Sequence, residues 1–230
     1  MSEIEGTIQF AYELTPTTDV LLQSDTYAEL SAWRSILCEL ELLGQTPEKY
    51  AGYAYGNLSI RSGEADEFII TASQTSGEKD LYPEHLVRVT NCNLERFWVD
   101  ARGQEPPSSE SLTHAMVYSA DTRIKCVFHV HSTVIWQHRS ALKLPQTPAD
   151  VSYGSPAMIT AVAQLMDANQ SRPLTFATAG HEDGIFACGH TPRDCGTLLV
   201  NWLAKARAMH KLVEAKEPTA RATPLSPPSA

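Results

Sequence analysis

The stretch CVFHVHSTVIW, residues 126–136, sets two histidines one residue apart inside an otherwise apolar run. Side chains at i and i+2 share a face only in an extended strand, so the run predicts a strand carrying His129 and His131 on one side. Two imidazoles on one face call for a common partner. A divalent metal of the zinc type, which takes three or four nitrogen, oxygen or sulfur ligands, is one such partner. Alternating polar residues on a half-buried strand produce the same spacing without any ligand, so the pair alone leaves both readings open.

Strand formers recur ahead of this run in NLSIR (57–61), EFIIT (67–71) and ERFWV (95–99), and the histidine strand itself covers IKCVFHV (124–130). Gly, Pro, Asp or Asn separate them. Residues 27–43 carry Leu30, Trp33, Leu37 and Leu40 at helical spacing, with Ser24, Asp25 and Thr26 as cap candidates and Gly44 as a stop. Residues 107–121 predict a helix capped by Ser109, with Glu110 in its first turn and Met116 and Val117 on its apolar side. A further helix spans 155–168, capped by Ser155 with Pro156 at its first position. Strands around 174–179 and 184–188 precede a final helix from about Arg193 to Ala215, striped by Leu199, Trp202, Ala206, Met209 and Val213.

No repeat or linker interrupts residues 24–215, which predicts one domain there, between an N-terminal extension (1–23) and a tail (216–230) whose Pro, Ala, Ser and Thr offer too little apolar surface to fold. Strands and helices mix without a strict βαβ rhythm. The expected architecture is α/β, a central, mostly antiparallel sheet covered by helices.

The chain has 230 residues, 43% hydrophobic and 20% charged, enough to bury a core. Its formal charge of −9 argues against nucleic acid or an anionic membrane as partner. The acidic start MSEIEGTIQF is unlike a signal peptide, and no apolar run reaches the roughly 18 residues of a membrane span. A soluble, cytoplasmic protein is expected. The five cysteines lack CxxC spacing, so they predict reduced thiols, with Cys38 and Cys126 as small core residues.

A third ligand candidate is His181 in TAGHEDGIFACG (178–189), at the end of an apolar strand, and the nearest plausible carboxylate is Glu110. Three imidazoles and a carboxylate would make a Lewis-acid site. His85, His114, His138, His190 and His210 read as ordinary hydrogen-bonded residues. A second cluster joins Gly56, Asn57, Ser76, Gly77, Ser108 and Ser109 from YGNLSIR, TASQTSGEKD and PPSSE; its amides and hydroxyls could cradle an oxyanion. Singly, each is also an ordinary turn or cap residue.

Taken in order, GNLSIR, the SG after a strand, PSSE, HxHS and the late histidine–glycine turn resemble the class II aldolase/adducin family, over about residues 25–213. The family includes fuculose-phosphate and rhamnulose-phosphate aldolases and ribulose-5-phosphate 4-epimerase. The resemblance implies a three-layer α/β/α fold, a homotetramer, and one divalent ion per subunit, zinc first, with manganese, cobalt or iron as alternatives. It makes His129, His131 and His181 the metal ligands and Glu110 the acid/base, and places Gly56, Asn57, Ser76, Gly77, Ser108 and Ser109 at the substrate phosphate. The implied activity is an aldehyde-lyase acting on a ketose or ketose phosphate through a metal-stabilised enediolate. A carboxyl moving the proton near pH 7 works best when partly buried.

The loop TPADVSYG (147–154) looks like that of the 4-epimerases, and Asp150 falls on their catalytic aspartate. THAMVY (113–118) leans the same way. Against this, no tyrosine follows Tyr153, Glu110 is the aldolase choice of acid, and both the GHEDG turn and TASQTSG exceed the family's usual lengths. Epimerisation or dehydration on the same metal is therefore the alternative activity. A non-catalytic, adducin-like assembly module is a third, and it predicts eroded ligands, whereas all four positions are intact.

Overall fold

The computed structural model describes residues 6–20, 22–63 and 67–215, so the expected tail lies outside the described residues. The chain runs β1 (Ala11–Pro16), α1 (Ser24–Glu39), β2 (Asn57–Arg61), β3 (Phe68–Thr71), β4 (Leu86–Asn93), β5 (Trp98–Gly103), α2 (Ser111–Ala120) and β6 (Cys126–His131). It continues through α3 (Thr133–His138), α4 (Pro156–Ala168), β7 (Leu174–Ala177), β8 (Gly184–Gly189) and α5 (Pro192–Glu214). The strands form a single sheet in the order β1-β5-β4-β3-β2-β6-β8-β7. Every pairing is antiparallel except β1 with β5.

Strand alternation splits the core into two layers. On β6, Val127 joins Phe186 of β8, Leu112 and Val117 of α2, and Met158 and Val162 of α4 on one side of the sheet. Cys126, Phe128 and Val130 point the other way, to Leu30 and Leu37 of α1, Ile135 of α3, and Leu199 and Leu203 of α5. Helices thus cover both faces, giving the three-layer α/β/α arrangement expected. His129 and His131 share parity with Val127, which puts them under α2 and α4.

Several boundaries differ from the sequence reading. Helix α1 stops at Glu39, before Gly44, because Glu41 turns left-handed (φ 57°) and the amides of Leu42 and Leu43 fold back onto the Leu37 carbonyl. Residues 95–97 of the expected strand ERFWV form a turn: the Arg96 amide donates to Asn93 Oδ1 and Phe97 adopts φ 55°. That turn joins β4, which the sequence reading lacked, to β5. Residues 11–16, expected within the extension ahead of the domain, add strand β1 to the edge of its sheet. The short helix α3, capped by the Ser132 hydroxyl, is also additional.

Candidate metal centre

The flanking strands supply what the histidine pair needs. Asn57 of β2 and Phe186 of β8 pair with His129, and Gly184 pairs with His131. Phe186 stacks on His129 with ring centroids 4.2 Å apart. A Cβ at Gly184 would fall 2.3 Å from Thr178 Oγ1 and 3.0 Å from His181 Nδ1, so only glycine opposite His131 leaves space for a third imidazole. His181 itself sits in the tight turn between β7 and β8, where its amide donates to the Thr178 carbonyl and its carbonyl accepts from the Gly184 amide.

Ring nitrogens of His129, His131 and His181 all lie within 4.8 Å of one another. The residues are 0%, 2% and 5% exposed. His129 Nδ1 lies 3.3 Å from the Ile185 carbonyl. A carbonyl can only accept, so that contact places the proton on Nδ1 and leaves a lone pair on Nε2. His131 Nε2 is 3.2 Å from this atom, close to the roughly 3.4 Å ligand–ligand edge of a tetrahedral zinc site with bonds near 2.1 Å. Burial, reinforced by the neighbouring imidazoles, holds the His129 pKa well below the usual histidine range, in the neutral form that ligates. Three buried nitrogen donors converging in this way fit a divalent metal.

Glu110 completes the cluster. Expected in the first turn of a helix capped by Ser109, it is instead itself the N-cap of α2. It is 3% exposed, and its Oε1 lies 3.5 Å from His181 Nδ1. Its amide donates to Ser108 Oγ at 3.3 Å, and the Ser111 hydroxyl donates to the Ser108 carbonyl at 2.6 Å, which locks the PSSE turn against the acid. Strand β6, the β7–β8 turn and the start of α2 therefore bring together the four residues that the sequence nominated as ligands and acid.

The oxyanion candidates are distributed around this cluster. Gly56 has φ 75°, and a Cβ there would stand 2.9 Å from the His129 carbonyl, so the backbone passes against β6 itself. The Ser76 hydroxyl donates to the Gly56 carbonyl at 2.5 Å, tying the SG loop to the GN turn. Asn57 is buried with its Oδ1 lacking a hydrogen-bond partner among the described residues. Ser76 and Gly77 line a cavity of about 410 Å³ with Cys38, Lys49, Tyr55 and Lys79. Ser108 and Ser109 are buried on the Glu110 side. Asp150, by contrast, is exposed, although the neighbouring Val151 carbonyl packs where a Cβ on Gly180 would sit.

Three further residues escaped the sequence reading. Fully buried Arg34 donates from Nε and Nη2 to the Glu78 carbonyl and from Nη2 to that of Thr75, gripping the SG loop from beneath. Burial draws its guanidinium pKa down. Its signal was visible, since Arg34 falls one turn from Leu30 and Leu37 on the apolar stripe. Tyr50 and Asp183 also meet at the site: the Tyr50 phenol donates to Asp183 Oδ2 at 2.8 Å, and the Tyr50 ring stands edge-on to His131 at 4.7 Å. Only the density of tyrosines in YAGYAYG (50–56) hinted at this. Of the histidines read as ordinary, His114 contacts Ser59 Oγ at 2.7 Å, and His138 faces His210 at 3.4 Å on the surface.

A family model described as the Class II Aldolase and Adducin N-terminal domain matches residues 46–202, more than half of the chain. The chain belongs to the class II aldolase and adducin family. Solved class II relatives share its fold. L-fuculose-1-phosphate aldolase from Thermus thermophilus aligns at TM-score 0.62 and 20% identity, covering 86% of this chain and 100% of that one. A sugar-phosphate aldolase from Thermotoga maritima gives 0.62 at 13% identity over 84% and 97% of the two chains. The L-fuculose 1-phosphate aldolase from Glaciozyma antarctica PI12 gives 0.55 at 18% over 91% and 82%. No curated protein matches the sequence significantly. Class II aldolases depend on divalent metal, and the histidine triad of this member could hold one. Among the described residues no helix is long and apolar enough to cross a membrane.

Proposed function

We propose that this class II family member is a divalent-metal-dependent aldehyde-lyase cleaving a ketose or ketose phosphate, with His129, His131 and His181 holding zinc and Glu110 moving the proton. The observation that carries the proposal is the convergence of three buried imidazoles and one buried carboxylate from segments far apart in sequence. A divalent ion held there supplies positive charge toward substrate oxygens as negative charge develops on them during carbon–carbon cleavage.

The protein's own groups do the rest. Glu110, fixed as a helix N-cap beside His181, is placed to take or return a proton with little reorganisation. Phe186 and the buried tyrosines exclude water from the imidazoles. Gly56, Asn57, Ser76, Gly77, Ser108 and Ser109 bind the anionic end of the substrate. Support for an anion comes from Arg34, whose donors draw the Thr75 and Glu78 carbonyls inward, beneath the loop. In the cell the protein works as a cytoplasmic homotetramer in carbohydrate metabolism.

Release of an aldehyde from candidate ketose phosphates, with stoichiometric metal in the purified protein and both lost in His129→Ala, is the expected result. Absence of metal from wild type, together with unchanged behaviour of His129→Ala, would refute it. One observation favours epimerisation as a second activity: the loop carrying Asp150 packs through Val151 against Gly180, next to His181. If epimerisation dominates, no aldehyde accumulates and Asp150→Asn abolishes turnover.

A further inference from the structure

The three imidazoles are almost fully enclosed, so something must move before a substrate reaches them. Their walls differ in strength. Phe186 is a core residue of β8, stacked on both His129 and Phe176. Tyr153, whose ring lies 4.6 Å from that of His181, is buried and anchored through its hydroxyl to the Thr7 carbonyl at 3.0 Å. Tyr50 is only half-buried. It belongs to a surface loop whose two ends meet at a lone bridge between Gly44 and Tyr55.

The loop's backbone is held under tension at the same place. Tyr50, Ala51 and Gly52 are consecutive left-handed residues with φ of 50°, 55° and 82°, a conformation that non-glycine residues adopt only when surrounding contacts impose it. The turn closes through backbone bonds from the Gly52 amide to the Lys49 carbonyl and from the Tyr53 amide to the Tyr50 carbonyl, and the phenol's hydrogen bond to Asp183 and its ring packing on His131 and Tyr55 hold it against the site. Asp183 is a firm anchor, because its Oδ2 also accepts from Thr133 Oγ1 at 2.6 Å and its carbonyl accepts from the Ser132 amide. The far side of the loop, at Pro47, Ala51 and Gly52, borders an open cavity of about 560 Å³. That cavity, bounded across from the loop by Gln74, Gly77 and Glu78, leaves room for the loop to move.

From these observations we infer that Tyr50 is the gate of the histidine pocket: while its phenol is bonded to Asp183 the 44–55 loop seals the imidazoles, and they become reachable when that bond opens. As an account of how substrate enters, the inference rests on the proposed metal-site function, yet the gate itself can be read without metal or turnover.

The test is diethyl pyrocarbonate labelling of full-length, chelator-treated protein, with the modification rates of His129, His131 and His181 followed by peptide mass spectrometry. Tyr50→Phe keeps the ring and removes the bond, and is expected to accelerate labelling of the three histidines about fivefold, the equivalent of roughly one hydrogen bond. Tyr50→Ala removes the wall and accelerates it further. His114, fully buried on the inner face of α2, reports any general loosening, and its rate should not change. Equal triad rates in wild type and Tyr50→Phe overturn the inference, as does a parallel rise at His114. If wild type proves to hold no metal, the proposed function fails while the labelling result still decides the gate.

Discussion

Gly184 shows how much one missing methyl group does. Because it faces His131 across β6 and β8, its bare Cα opens the space that His181 enters. Gly184→Ala should cost about 1–3 kcal/mol through overpacking against Thr178 and His181, and should lower the bound metal measured by elemental analysis. Glu110→Gln preserves shape and removes the ionisable group. It should leave metal content intact while reducing the rate of aldehyde release by about 10²–10⁴-fold, the usual share of a general acid–base. His114 carries a third expectation, about pH. Burial pushes its pKa down to about 3, so above pH 6.5 it is neutral in both folded and unfolded chains and costs nothing. Below 6.5 the unfolded chain takes up a proton that the native state refuses, and stability falls, by up to about 1.4 kcal/mol per pH unit, until pH nears 3. Denaturant titrations between pH 6.5 and 4.5, above the carboxylate range, should show a shallower slope in His114→Asn than in wild type.

Among the elements, α5 illustrates local signals that act independently of the site. Thr191 Oγ1 accepts from the Asp194 amide and Asp194 Oδ2 accepts from that of Thr191, a reciprocal cap. Thr191→Ala should therefore cost about 1 kcal/mol in urea unfolding without changing metal content. Such signals explain what the sequence made legible. Ser155 with Pro156 announced α4, and NLSIR announced β2 residue for residue, because each carries its own chemistry of start, stop and alternation. Strand β1 had no such mark: AYELTP is exposed or half-exposed throughout, so it shows no inward and outward alternation, and its pairing with β5 depends on contacts remote in sequence. The site divides along the same line. HxH on a strand predicts a shared face from geometry alone; His181 and Glu110 stood out as further candidates by their place beside an apolar strand and a helix start, and family resemblance gave them their roles. Tyr50 and Asp183 meet only because a loop folds across the β7–β8 turn, which no spacing encodes.

For the molecule as a whole, a bound ion would add to stability by mass action. Free metal at a thousand times its dissociation constant contributes about 4 kcal/mol, which for a domain of this size raises the melting temperature by roughly 8–16 °C. Calorimetry with and without chelator should show a rise of that order in wild type and none in His131→Ala. The assembly of the pocket carries one more consequence. Two imidazoles lie on β6, but the third waits until β8 has paired back beside it, and Gly184 must be seated before His181 has anywhere to go. A chain still emerging from the ribosome, with synthesis halted short of that turn, offers an ion only half a grip. Loading of an ion there would thereby be deferred until the last strands are in place, and metal uptake during translation would act as a timestamp for completion of the sheet.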